Sequence, residues 1–96
     1  MPLYISLMTY TEQGMRNIKK SPDRVDAARR AAEELGGSLG EVYLTMGSYD
    51  LMAIAEFPDD ATAATFSLKV GALGNVRIET AKAFPEGAYR KIVEAV

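Results

Sequence analysis

The chain has 96 residues, 48% hydrophobic and 25% charged, with a formal net charge of -2 and neither cysteine nor histidine. That length suits one domain with one core, taken as residues 1–96. The missing residue types exclude disulfides, thiolate nucleophiles, Cys- or His-held metals and histidine acid–base chemistry, and the slight acidity gives no nucleic-acid footprint.

Leu3 to Tyr10 ("LYISLMTY") is uncharged, rich in aromatic and branched residues, and ends at a polar cluster, so it reads as a strand. The stretch from Met1 to Thr11 has no basic n-region or small-residue cleavage site, so no secretory signal is expected there. No uncharged apolar run approaches the roughly 20 residues needed to span a bilayer; no membrane contact is expected, and the expected location is the cytoplasm. Met15 to Lys20 suggests a single helical turn. Ser21-Pro22-Asp23 then supplies an N-cap candidate, a proline at the first helical position and an acid in the first turn. The spacing of Val25, Ala28, Ala32 and Leu35 predicts a helix from Pro22 to Leu35, stopped by Gly36-Gly37.

Leu39 to Met46 and Leu51 to Phe57 read as two strands, joined by Gly47-Ser48-Tyr49-Asp50 in a hairpin too short for anything but antiparallel pairing. An aspartate of Pro58-Asp59-Asp60 is the expected N-cap of a second helix carrying Ala63, Phe66, Val70 and Leu73, with Gly74-Asn75 at its end. Asn75 to Phe84 alternates Val76 and Ile78 against Arg77 and Glu79 as a fourth strand. Pro85 to Val96 places Tyr89, Ile92, Val93 and Val96 on one face of a short helix, expected to dock on its own domain or on a neighbour.

The order β-α-β-β-α-β plus a helix predicts an α+β, ferredoxin-like fold: a four-stranded antiparallel sheet with two helices on one face. Leu3, Ile5 and Leu7 are expected to face those helices with Val42, Leu44, Val76 and Ile78. The uncovered face would then hold Tyr4, Ser6, Met8, Tyr10, Tyr43, Thr45 and Leu51 or Met52. Such a semi-apolar, aromatic face calls for a partner, and a second copy of the chain is the simplest one. Two stacked sheets would enclose a space able to hold a small molecule.

Three stretches together resemble the GYD domain family: "TYTEQGMRNIKKSPDR" (Thr9 to Arg24), the Gly47-Ser48-Tyr49-Asp50 turn, and "GALGNVRIETAKAF" (Gly71 to Phe84). The resemblance implies a small stand-alone domain of the dimeric α/β barrel type. The hairpin is also similar to the ligand-binding domain of Lrp/AsnC regulators, where such a turn lies near an effector site, but no helix-turn-helix accompanies it here.

The ligand-binding or interface candidates are Tyr4, Met8, Tyr10, Thr11, Tyr43, Gly47, Tyr49 and Asp50. In the turn, Gly47 supplies a positive φ and Asp50 an acceptor for loop amides, so hairpin geometry alone explains the motif and is the preferred reading. In the functional reading, Tyr49 offers a phenol and Asp50 a carboxylate at a subunit interface. Tyr10 and Thr11 would form a rim or, more simply, a strand end and a helix cap. The basic group Arg16, Lys19, Lys20, Arg24, Arg29 and Arg30 reads as a solvated face, because no aromatic residue is interleaved. Gly36, Gly37 and Gly40 follow a helix and precede a strand, the reverse of a phosphate cradle. Two classes stay open: a non-catalytic binding or assembly module, which the lack of histidine favours, and a cofactor-independent enzyme resembling the monooxygenases or isomerases of dimeric α/β barrels. Neither needs a cofactor or metal.

Overall fold

In the computed structural model, which describes residues 1–96, the elements in chain order are β1 (Leu3–Tyr10), α1 (Glu12–Arg16), a 3-10 turn (Ile18–Lys20), α2 (Ser21–Glu34), β2 (Ser38–Leu44), β3 (Leu51–Glu56), α3 (Asp60–Ala72), β4 (Val76–Ala83) and α4 (Glu86–Glu94). The four strands form one antiparallel sheet in the order β2-β3-β1-β4, the ferredoxin-like arrangement. α2 packs over β2 and α3 over β4, so the two helices straddle the central strands.

The helix ends follow local chemistry, with one correction. Asp59 caps α3 by accepting the Thr62 N–H at 2.8 Å, and the Thr62 hydroxyl and amide together hold the Asp59 carboxyl below its usual range. Thr11 caps α1 in the same way, accepting from Gly14 N–H at 3.1 Å while donating to the Gly74 carbonyl at 2.6 Å. Ser21, expected to cap α2, is instead its first residue; its hydroxyl lies 2.8 Å from the Tyr10 hydroxyl. Gly14 packs directly on the Asn75 carbonyl, where any Cβ would overlap backbone. The α1 start and the α3–β4 turn are therefore locked together, with Thr11 N–H donating to that carbonyl at 3.1 Å.

The core overturns the expected orientation of β1. Tyr4, Ser6 and Met8 are the buried residues, at 3%, 2% and 8% exposure, and lie on the helix side with Leu51, Ala53, Ala55 and Val76. Leu3, Ile5 and Leu7 occupy the other face. The reason is register: Met8 pairs with Leu51 and Ile78, and cross-strand neighbours share a face. Tyr4 and Met8 are thus core residues and not components of an open surface. Phe57 anchors the core, with its ring centroid 6.1 Å from Tyr4 and 5.1 Å from Phe66. Alanines at positions 32, 53, 55 and 63 let the helices approach the sheet closely.

Tyr4 carries the core's polar link to the surface. Its hydroxyl donates to Asp60 at 2.5 Å, and Lys82 pairs with the same carboxylate at 3.1 Å. The hydrogen bond to Asp60, reinforced by burial, pushes the Tyr4 phenol up to about 12. The same bond, helped by Lys82, holds Asp60 below its usual value.

α4 has no buried residue, and Tyr89, Ile92 and Val93 stay 58%, 49% and 51% exposed. Docking on its own domain is therefore not the arrangement of this helix. No helix is long and apolar enough to cross a membrane.

Candidate functional site

The uncovered sheet face is built from the strand positions that alternate with the core. Across β1 and β3 it sets Leu7 beside Met52, Ile5 beside Ile54, and Leu3 beside Glu56; across β1 and β4 it sets Thr9 beside Arg77 and Leu7 beside Glu79. On β2, Tyr43 pairs with Met52 of β3, is 47% exposed, and its hydroxyl donates to Glu41 at 3.3 Å. The centre of this face is an apolar row on β1 and β3, flanked by Glu41 on the β2 side and by Arg77 and Glu79 on the β4 side.

The Gly-x-Tyr-Asp turn closes one end of the face. Gly47 has φ +135° with nothing within 4 Å of where a Cβ would stand, so backbone conformation and not space calls for glycine. Thr45 fixes the loop: its N–H donates to the Asp50 carbonyl at 2.8 Å, and its hydroxyl donates to the Tyr49 carbonyl at 2.6 Å.

Asp50 then extends the sheet beyond the last residue of the β1–β3 ladder. Its N–H donates to the Met8 carbonyl at 2.9 Å, and its Oδ2 accepts the Tyr10 N–H at 2.9 Å. The carboxylate supplies the acceptor that a longer β3 would have offered from its backbone. The donor it satisfies belongs to the neighbouring strand, not to the loop itself.

Tyr49 points the opposite way. Its hydroxyl donates to Glu79 at 2.5 Å, laying the ring over the β4 side of the open face, where Leu7, Thr9, Tyr49, Arg77 and Glu79 line a shallow depression. The bond to Glu79 and its negative charge raise the Tyr49 phenol above its ordinary value.

Of the candidates read from sequence, the turn residues Gly47, Tyr49 and Asp50 come together, and Tyr43 lies on the same open face. Tyr4 and Met8 go to the core. Tyr10 is half-buried on the helix side beside Ser21, and Thr11 is a helix cap. Half of the basic group is engaged internally: Arg16 pairs with Glu12 at 3.1 Å, Arg24 donates to the Asn17 and Gly14 carbonyls, and Arg29 donates to Leu39 and Gly40 carbonyls. Sequence reasoning missed the row of Leu3, Ile5, Leu7 and Ile54. Glu56 shares the parity of Met52 and Ile54, and was the available sign that this parity faces outward.

The family model for the GYD domain matches residues 4–93. This chain belongs to the GYD domain family. The GYD match takes in all four strands, short only of Leu3, and the Gly-x-Tyr-Asp turn. Among similar proteins is a Thermus thermophilus relative named "Glutamine synthetase and cystathionine beta-lyase binding protein", 31% identical over 86 residues that make up 88% of this chain and 90% of the relative. A solved crystal structure of a protein from the same organism superposes with a TM-score of 0.57 at 28% identity, covering 88% of this chain and 95% of that one. This GYD chain therefore shares its fold with that protein along nearly the whole of both.

Proposed function

We propose that this GYD chain is a non-catalytic binding module that pairs with a second copy through the open face of its sheet, as a dimeric α/β barrel. The pair would hold an enzyme of the kinds named for the Thermus relative, a glutamine synthetase or a cystathionine β-lyase. The observation that carries the pairing is the apolar row of Leu3, Ile5, Leu7, Met52 and Ile54 on a sheet face that no helix of the chain covers.

Charge on the same face suits a two-fold partner. Arg77 makes no ion pair within the chain and lies two positions from Glu79 on the same side of β4. An isologous contact can set each Arg77 against Glu79 of the copy. The non-catalytic reading is supported by the Thermus relative, which is named as a binding protein.

The test is binding of the immobilised chain to purified glutamine synthetase and cystathionine β-lyase, with Ile54→Lys as the comparison. Saturable binding by the parent and its loss in the variant are expected. Failure of both enzymes to bind would remove the partner assignment, and equal binding by Ile54→Lys would remove the open face from it.

A further inference from the structure

The helix side of the sheet contains a second feature, independent of the open face. Because α2 sits over β2 and α3 over β4, the central strands are spanned by a half-open crevice between the helices, with a cavity volume of about 130 Å³. Its walls are mainly apolar. Met8 and Leu51 come from the sheet, Ala28 and Ala31 from α2, and Phe66 and Val70 from α3. The lining from α2 is mostly small, with Ala27, Ala28 and Ala31, which leaves part of the space between the helices unfilled. An apolar cavity of about 150 Å³ is large enough to bind benzene, which sets the scale of molecule this crevice can take.

The few polar residues in the lining include no acid. Ser21 and Asn75 are already engaged, with Tyr10 and Gln13 respectively. Arg24 and Lys69 stand on opposite helices. Arg24 uses two N–H groups on the Asn17 and Gly14 carbonyls at 3.0 and 3.3 Å, leaving further guanidinium donors available. Lys69 makes no ion pair. Ser6, on β1, is 2% exposed, and its hydroxyl forms no hydrogen bond within the chain. No side-chain polar atom sealed from solvent lacks a partner, so the Ser6 oxygen opens onto the crevice floor. A ligand atom reaching the floor would give the Ser6 hydroxyl a partner that the chain itself does not supply.

We propose that this crevice binds a small carboxylate with an apolar body, aromatic or branched aliphatic, whose charged end meets Lys69 and Arg24 and whose body lies against Met8, Phe66 and Val70. Ser6 supplies one hydrogen bond at depth. The size limits the body to about one ring, and two cations without a lining acid select an anion over a neutral or cationic molecule of the same shape.

The probes are phenylacetate, 4-hydroxyphenylacetate and 4-methylpentanoate, with phenylacetamide as the uncharged control, titrated by calorimetry into the whole chain. At least one carboxylate should bind saturably at millimolar concentration or better, and phenylacetamide should bind about tenfold more weakly or not at all. Lys69→Gln, at an exposed helix position, should weaken the carboxylate by about tenfold without changing the melting temperature. Ala28→Leu should fill the crevice and abolish binding, and Ser6→Ala should weaken it severalfold. No heat from any carboxylate with the folded parent would overturn the proposal, as would unchanged affinity in Ala28→Leu. Equal affinity for acid and amide would overturn the assignment of an anion. These outcomes do not touch the open face, so they are separable from the fate of the pairing proposed for it.

Discussion

Asp50→Ala isolates the part that the Gly-x-Tyr-Asp turn plays in the fold. The substitution removes the acceptor 2.9 Å from the Tyr10 N–H, at a point one residue before β3 begins, where no backbone carbonyl replaces it. Tyr10 is half-buried, so water reaches the orphaned amide only in part. An unsatisfied buried donor costs about 1–3 kcal/mol, and the partial exposure argues for the lower half of that range, about 1–2 kcal/mol. For a domain of this size each kcal/mol moves the melting temperature by roughly 4–8 °C, which predicts a fall of roughly 4–16 °C. Asp50→Asn keeps an acceptor oxygen but loses its charge, and should cost about half as much. The assay is urea and thermal unfolding followed by circular dichroism, with Tyr49→Phe beside it. Loss of the phenol removes only an exposed contact to Glu79, and should change stability by less than about 0.5 kcal/mol. If Asp50→Ala also stayed within about 0.5 kcal/mol of the parent, the carboxylate would not be completing the sheet.

The remaining predictions concern the core link, the packed glycine and the last helix. The raised Tyr4 phenol stabilises the fold fully below pH 10, and that contribution is lost as pH rises toward about 12; Tyr4→Phe should flatten the unfolding midpoint over this window. Asp60 has the opposite sign. Its lowered value stabilises the fold above the ordinary carboxylate range, and this is lost as pH falls through the lowered value, so Asp60→Asn should lessen the acid loss measured by the same titration. Gly14→Ala would drive a Cβ into the Asn75 carbonyl, and should destabilise by about 2 kcal/mol or more in urea unfolding. Truncation after Phe84 removes a helix with no buried residue, so the midpoint of the dissociated chain should hardly move, while light scattering should register weaker association.

How much the sequence disclosed depended on whether charge marked a strand's outer face. On β4, Arg77 and Glu79 flag one side, and Val76 and Ile78 turn toward the helices as that pattern predicts. On β1 every residue from Leu3 to Tyr10 is uncharged and both parities contain large side chains, so period-two patterning has nothing to choose by. A reading by side-chain type puts the aliphatic residues inside and the tyrosines outside. The structure reverses this because Asp60, fifty-six positions away, gives the Tyr4 hydroxyl a partner at the core's edge. No local signal in "LYISLMTY" announces that partner. On β3, alanines take the inner positions because the helices pack close, while Met52 and Ile54 go outward, the reverse of a size-based guess.

The turn was legible in kind but not in detail. Gly47 and its positive φ follow from composition. The partner of Asp50 does not, because it lies on β1, forty residues earlier in the chain. The crevice was hidden for a related reason: it depends on how far apart α2 and α3 stand, which no pattern within either helix encodes.

Light scattering of the purified chain at micromolar concentration, run beside Ile54→Lys, tests the central claim most directly. Ile54 is 42% exposed in the single chain, so lysine there should leave the far-ultraviolet dichroism and the fold intact while placing an unpaired charge inside the paired face. The parent is predicted to have twice the mass of one chain, and the variant the mass of one. A parent of single-chain mass, or a variant that pairs as well as the parent, would contradict the assignment of the open sheet face as the pairing surface.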